Sequence, residues 1–189
     1  MNNYVILNAV PDPGFCVLEE IEDMDDPLQL RKGVKLEPWP DDVKFHMDPN
    51  YPKAIQLGDC INNLPGAIVV SKRLKKLIEA AKPANVEYLP VSIINHKGKV
   101  ASADYFIVNP YRLQDCIDQK QSVLKWNAID PDLIVTCKKL IIDEGKVAKG
   151  SKIFRLKHFP FPIFVERALA EKIESEELTG IIFTEIEEL

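Results

Sequence analysis

At 189 residues, with 46% hydrophobic and 28% charged side chains, the chain has the composition of a folded globular protein with material for a sizeable core. Its net charge of −5 disfavours non-specific attraction to nucleic-acid phosphates. No run approaches the roughly 20 apolar residues of a membrane-spanning helix, and Met1-Asn2-Asn3-Tyr4 has no basic stretch of the kind that opens a signal peptide.

Residues 4–10 are strongly apolar and read as a strand, ended by Pro11, Pro13 and Gly14. An acidic run follows, in which six of the eight residues from 19 to 26 are Glu19, Glu20, Glu22, Asp23, Asp25 and Asp26. Such a run is either a solvated face or a docking surface for a basic protein, whose encounter it would accelerate. Glu37-Pro38-Trp39-Pro40-Asp41-Asp42 comes next. Two prolines stiffen Trp39, which either anchors an interface or covers the chain's own core. The proline-rich stretch from Pro38 to Pro52 reads as an irregular surface connection.

Ser71 to Lys82 predicts a helix, because Leu74, Leu77, Ile78 and Ala81 form one apolar stripe. Ser71 is its N-cap and Pro83 its stop. Val86–Asn95 and Val100–Asn109 predict a long hairpin turning at His96-Lys97-Gly98-Lys99, with Pro90 marking an edge or a bulge. Leu113 to Trp126 is expected to be helical. A second hairpin is expected from Lys139-Leu140-Ile141-Ile142 through Asp143-Glu144-Gly145 to Ile153-Phe154-Arg155-Leu156. A last helix is expected over about Glu166 to Ser175, burying Leu169 and Ile173.

Conspicuous reactive chemistry is missing. Cys16, Cys60, Cys116 and Cys137 are too widely spaced for a zinc pattern and read as small half-buried hydrophobes. His46, His96 and His158 are isolated. The sequence contains no nucleophile elbow, dinucleotide fingerprint or phosphate loop. Ser71 heads a helix, but Val70 and Lys72 flank it, so capping is expected rather than nucleophilic attack. Asp41-Asp42, Asp104 and Asp118 offer carboxylates without any reason to select a pair. No catalytic residue, metal ligand or cofactor is expected. An enzyme with a cleft between lobes remains an alternative, because catalytic groups need only meet in space.

The chain also echoes itself. Ile68-Val69-Val70-Ser71-Lys72-Arg73-Leu74 is answered 95 residues later by Ile163-Phe164-Val165-Glu166-Arg167-Ala168-Leu169. Asn85 and Gly180, both tolerant of left-handed backbone, correspond under the same offset. Tyr4-Val5-Ile6-Leu7-Asn8 is answered by Tyr105-Phe106-Ile107-Val108-Asn109 at an offset of 101. The expected fold is α+β: two similar lobes from a partial internal duplication, residues 1–95 and 96–189, mainly antiparallel sheet packed by helices and forming one compact unit.

Asp104-Tyr105-Phe106-Ile107-Val108-Asn109-Pro110, then Asp115-Cys116-Ile117-Asp118, Ile153-Phe154-Arg155-Leu156-Lys157, Ile163-Phe164-Val165-Glu166 and Leu178-Thr179-Gly180-Ile181-Ile182-Phe183 occur in this order. Over about residues 85–185 the chain resembles the eleventh numbered family of immunity proteins in bacterial polymorphic toxin systems, once a domain of unknown function. Glu166 departs from the serine frequent there. The resemblance implies a cytoplasmic, non-catalytic inhibitor of a secreted toxin, often a nuclease. It implies structural roles for the motif residues and does not locate the toxin contacts. Charge then nominates Glu19, Glu20, Glu22, Asp23, Asp25 and Asp26, with Trp39, as contacts for a basic toxin. An adaptor or structural homodimer, joined through an exposed sheet edge, is the main alternative.

Overall fold

The computed structural model describes residues 2–11 and 13–189, and of Glu20 the backbone alone. In chain order the elements are β1 (Tyr4–Ala9), β2 (Leu18–Glu22), β3 (Lys44–Met47), β4 (Cys60–Ile61), β5 (Ile68–Ser71), α1 (Lys72–Ala80), β6 (Val86–Ile94) and β7 (Val100–Pro110). They continue with β8 (Val123–Trp126), β9 (Ile134–Lys139), β10 (Ile153–Leu156), β11 (Phe159–Glu166), α2 (Arg167–Glu174) and β12 (Ile181–Thr184). Short 3₁₀ turns occupy Pro27–Arg31, Glu144–Lys146 and Ile186–Glu188.

The strands form a six-stranded sheet, β2-β3-β6-β7-β5-β4, a four-stranded sheet, β10-β11-β1-β12, and the β8–β9 ribbon. Among the strand pairs of the described residues β3–β6 alone is parallel. The class is therefore α+β with mainly antiparallel sheet. Neither large sheet comes from one half of the chain, since β1 joins strands from the C-terminal end and β7 joins strands from before residue 95.

The two sheets share a register. In one, Ser71 to Ile68 face Tyr105 to Val108. In the other, Glu166 to Ile163 face Tyr4 to Leu7. Val86↔Pro110 through Leu89↔Ile107 likewise correspond to Ile181↔Ala9 through Thr184↔Ile6. The offsets of 95 and 101 relate every one of these pairs.

Alternation along the strands splits their side chains between inner and outer cores. The inner core gathers Val5, Leu7, Ile68, Val70, Val108, Ile163 and Val165 with Leu74 and Ile78 of α1 and Leu169 and Ile173 of α2. On its opposite face the six-stranded sheet gathers Val69, Leu89, Ile93 and Ile107 with Leu18 of β2 and Phe45 of β3, covered by Leu30 and Leu36. The opposite face of the four-stranded sheet sends Ile6, Phe154 and Phe164 against Cys116, Ile134 and Leu140. Leu74 and Ile78 are fully buried, each contributing about 2 kcal/mol by transfer.

Both helices lie where the apolar stripes put them. The Ser71 hydroxyl accepts the Leu74 N–H at 3.3 Å and donates to Asp59 Oδ1 at 2.7 Å. Glu166, at the corresponding place, makes no side-chain cap bond. Asn85 and Gly180 both take positive φ, 57° and 75°. A side chain at position 180 would collide with the Cys60 carbonyl oxygen.

Two expectations need correction. Leu113 to Trp126 is not a helix. Gln114, Cys116 and Ile117 run extended and buried, bridging Leu156 and Ile142, and Asp118 caps the turn that leads into β8. Tertiary pairing overrides local propensity there. The second hairpin also forms differently: β9 pairs with β8, and β10 turns back at Lys157-His158 onto β11. Every residue of β10 is buried, so the adjacent strand supplies its partner at the smallest loop cost. Pro90, expected to mark an edge or a bulge, lies next to a bulge: the register of β6 on β7 shifts between Val91 and Ile93, and β3 pairs only with Ser92 to Ile94, so no strand seeks the N–H that Pro90 lacks.

Candidate partner-binding surface

After β2 the chain leaves the sheet edge through Asp23 in the left-handed region, φ 63°. Asp26 then accepts the Leu28 N–H at 3.1 Å and so caps the turn Pro27–Arg31. The following segment returns across the outer core with Leu36 buried, and Trp39 packs against the same core. Its indole N–H donates to the Pro90 carbonyl at 2.9 Å. Trp39 therefore covers its own core and still keeps part of its ring accessible.

These two stretches converge. Asp23, Asp25 and Asp26 stand across an open groove of about 230 Å³ from Glu37, Pro38 and Trp39. Two features far apart in kind, a charge run and a proline-braced tryptophan, thus share one surface. Between residues 19 and 42 the sequence has nine acids against Arg31, Lys32 and Lys35. Lys32 bonds to Asp26 at 3.1 Å and thereby holds that carboxyl below the ordinary range. Lys35 bonds to Glu37 at 2.6 Å, which raises the lysine. Among the described residues Asp25 and Asp41 have no ion-pair partner.

The rest of the acidic run points elsewhere. Glu19 borders a second groove with His46, Met47 and His96. Glu22 lies beside His46 at 3.2 Å without making a hydrogen bond, and 4.0 Å from Lys44. Lys44 bonds to Asp42 at 2.8 Å, which raises its affinity for the proton. The side chain of Glu20 lies outside the described residues. The nominated set therefore divides into Asp23, Asp25, Asp26 and Trp39 at one groove, and Glu19 and Glu22 along the β2 edge.

Glu37 was legible as the flank of Trp39. Glu87, Asn109 and Arg155 support the groove from behind; the sequence marks Asn109 and Arg155 only as motif residues with implied structural roles, and Glu87 not at all. Arg155 did leave a trace, a charge inside the apolar strand Ile153-Phe154-Arg155-Leu156, which signals a buried ionic group.

Among the described residues no group of three or more His, Cys, Asp or Glu is placed to hold a metal ion. All four cysteines are free and buried. Burial pushes the Cys16 thiol up to about 11 and the Cys60 and Cys116 thiols up to about 12, away from thiolate chemistry. The crevice between the large sheets is lined by Ile6, Leu7, Asn8, Asn63, Phe161 and Leu189 among others, and no lining side chain is an acid, base or nucleophile. No helix of the described residues is long and apolar enough to cross a membrane.

No curated protein matches the chain. A family model does, and it extends past the region 85–185 that carries the sequence motifs. It spans residues 7–188, so the acidic groove and both large sheets except the first half of β1 fall inside it. The chain belongs to the Immunity protein family (Imm11).

Proposed function

We propose that the chain neutralises a cognate secreted toxin of a bacterial polymorphic toxin system by offering the acidic groove to a basic face of that toxin, a nuclease being the class best suited to such charge. The observation that carries this reading is the convergence of Asp23, Asp25 and Asp26 with Trp39 on one groove. Acidic rims speed encounter, and a stiffened aromatic supplies contact area at little entropic cost. Binding, without bond making or breaking, is the whole activity, and the cytoplasm is its place.

Co-expression with the toxin tests it. The unaltered chain should restore growth when the product of the adjacent reading frame is induced. A variant carrying Asp23→Asn, Asp25→Asn, Asp26→Asn and Trp39→Ala should fail at equal abundance, and full protection by that variant rejects the groove.

The alternative of a homodimer through a sheet edge has one observation on its side, the edge strand β12 with Ile182 44% exposed. For the scaffold we propose duplication of a strand–helix–strand unit, each sheet taking its central strand from the other half of the chain. The shared register supports this reading.

A further inference from the structure

The wall of the groove that bears Leu36, Glu37 and Trp39 is not held by its own segment. Besides the bonds Arg31 donates to the Leu64 and Pro65 carbonyls, five hydrogen bonds with distant residues seat it. Arg155 Nη2 donates to the Leu30 carbonyl at 3.1 Å, and the Arg112 N–H to the Gly33 carbonyl at 3.0 Å. Asn109 Nδ2 donates to the Val34 carbonyl at 2.9 Å. Glu87 Oε1 accepts the Leu36 N–H at 2.8 Å, and the Pro90 carbonyl accepts the Trp39 indole at 2.9 Å. Asn109 Nδ2 also donates to Glu87 Oε1 at 2.7 Å, which aims that carboxylate at Leu36.

Arg155 and Asn109 are each only 1% exposed. Arg155 has no carboxylate partner among the described residues, and its Nε is buried without an acceptor. Burying a cation this way is strongly unfavourable, and an apolar side chain of similar volume would pack the site without that penalty. What only the guanidinium can do is bridge two segments at once. Its Nη1 reaches the Pro160 and Phe161 carbonyls at 2.7 and 3.0 Å, while Nη2 reaches Leu30. Arg155 thus clamps the start of β11 to the groove-bearing segment, and Asn109 repeats the clamp from β7.

We infer that Arg155 and Asn109 are positioning residues for partner recognition: both are too buried to meet the partner, and they fix the 30–39 segment that shapes the groove. This rests on the groove being the contact surface. It adds a functional role to motif residues whose strands otherwise build the core.

Backbone exchange and Trp39 emission test the clamp without any partner. Trp39 is one of two tryptophans, so a Trp126→Phe background leaves it as the sole indole reporter. Arg155→Met and Asn109→Leu should speed amide exchange over residues 29–40 by about tenfold or more while β5 and α1 stay protected. Trp39 emission should shift to the red. Arg155→Lys, which keeps one carbonyl contact at most, should fall between Arg155→Met and the unaltered chain. Ile173→Val, a core change in α2, is the control and should leave 29–40 protected. Both clamp variants should dissociate faster from the toxin without altering the salt dependence of association. Unchanged exchange at 29–40, or loosening spread evenly over both sheets, overturns the inference. Its failure is separable from failure of the groove reading. Neutralising Asp23, Asp25 and Asp26 tests the groove alone, and an unchanged toxin affinity there removes the contact surface whatever the exchange at 29–40.

Discussion

Ser71 and Glu166 occupy matching places before α1 and α2, yet only Ser71 accepts a helix N–H. Ser71→Ala should lower the urea unfolding free energy by about 1 kcal/mol, and Glu166→Ser should raise it by up to about 1 kcal/mol. Glu166 does pair with Lys152, but at 3.8 Å and with both side chains partly exposed, so giving up that pair offsets little. A second residue-scale test concerns acid. Arg167 holds Glu185 through paired bonds of 2.8 and 2.7 Å and keeps its carboxyl below the ordinary range. A carboxyl depressed on folding contributes stability above its unfolded value, about 4.3 for glutamate, and loses it as pH falls through the lower folded value. Unfolding midpoints of Glu185→Gln should therefore lie below the unaltered chain at pH 6, with the gap closing toward about pH 3. A constant gap over that range would mean the pair does not act through ionisation.

At the scale of elements, what was legible followed from periodicity and punctuation. The apolar stripe of α1, the Gly98 turn between β6 and β7, and the left-handed Asn85 and Gly180 are local signals and form as the sequence implies. The extended run Gln114 to Ile117 is set by bridges to Leu156 and Ile142, 42 and 25 residues away, which no local window contains. The partners of β9 and β10 were misassigned for the same reason, because strand pairing is decided by tertiary competition. Gly180 joins the local and the tertiary: its φ of 75° suits the turn into β12, and its missing side chain admits the Cys60 carbonyl of β4. Thr179 beside it accepts the Asp59 N–H at 2.9 Å. Gly180→Ala should destabilise by about 3 kcal/mol or more, read as a lower urea midpoint with unchanged slope. A loss below about 0.5 kcal/mol would show that the junction between the sheets yields easily.

At the scale of the whole molecule, the candidate surface was half legible. The acidic run and Trp39 stood out as separate features. Their convergence needed the turn Pro27–Arg31, and the supports Asn109 and Arg155 needed the full sheet order. The run also proved less uniform than its letters, because Glu19 and Glu22 face the histidine side of β2 rather than the groove. The charge it retains predicts a rate effect above all, since exposed carboxylates steer encounter more than they hold a complex.

Stopped-flow association with the cognate toxin across ionic strength is the most direct measurement. Neutralising Asp23, Asp25 and Asp26 to asparagine should slow association about tenfold at low salt and flatten its salt dependence. An unchanged rate and an unchanged slope would place recognition on another surface and contradict the account.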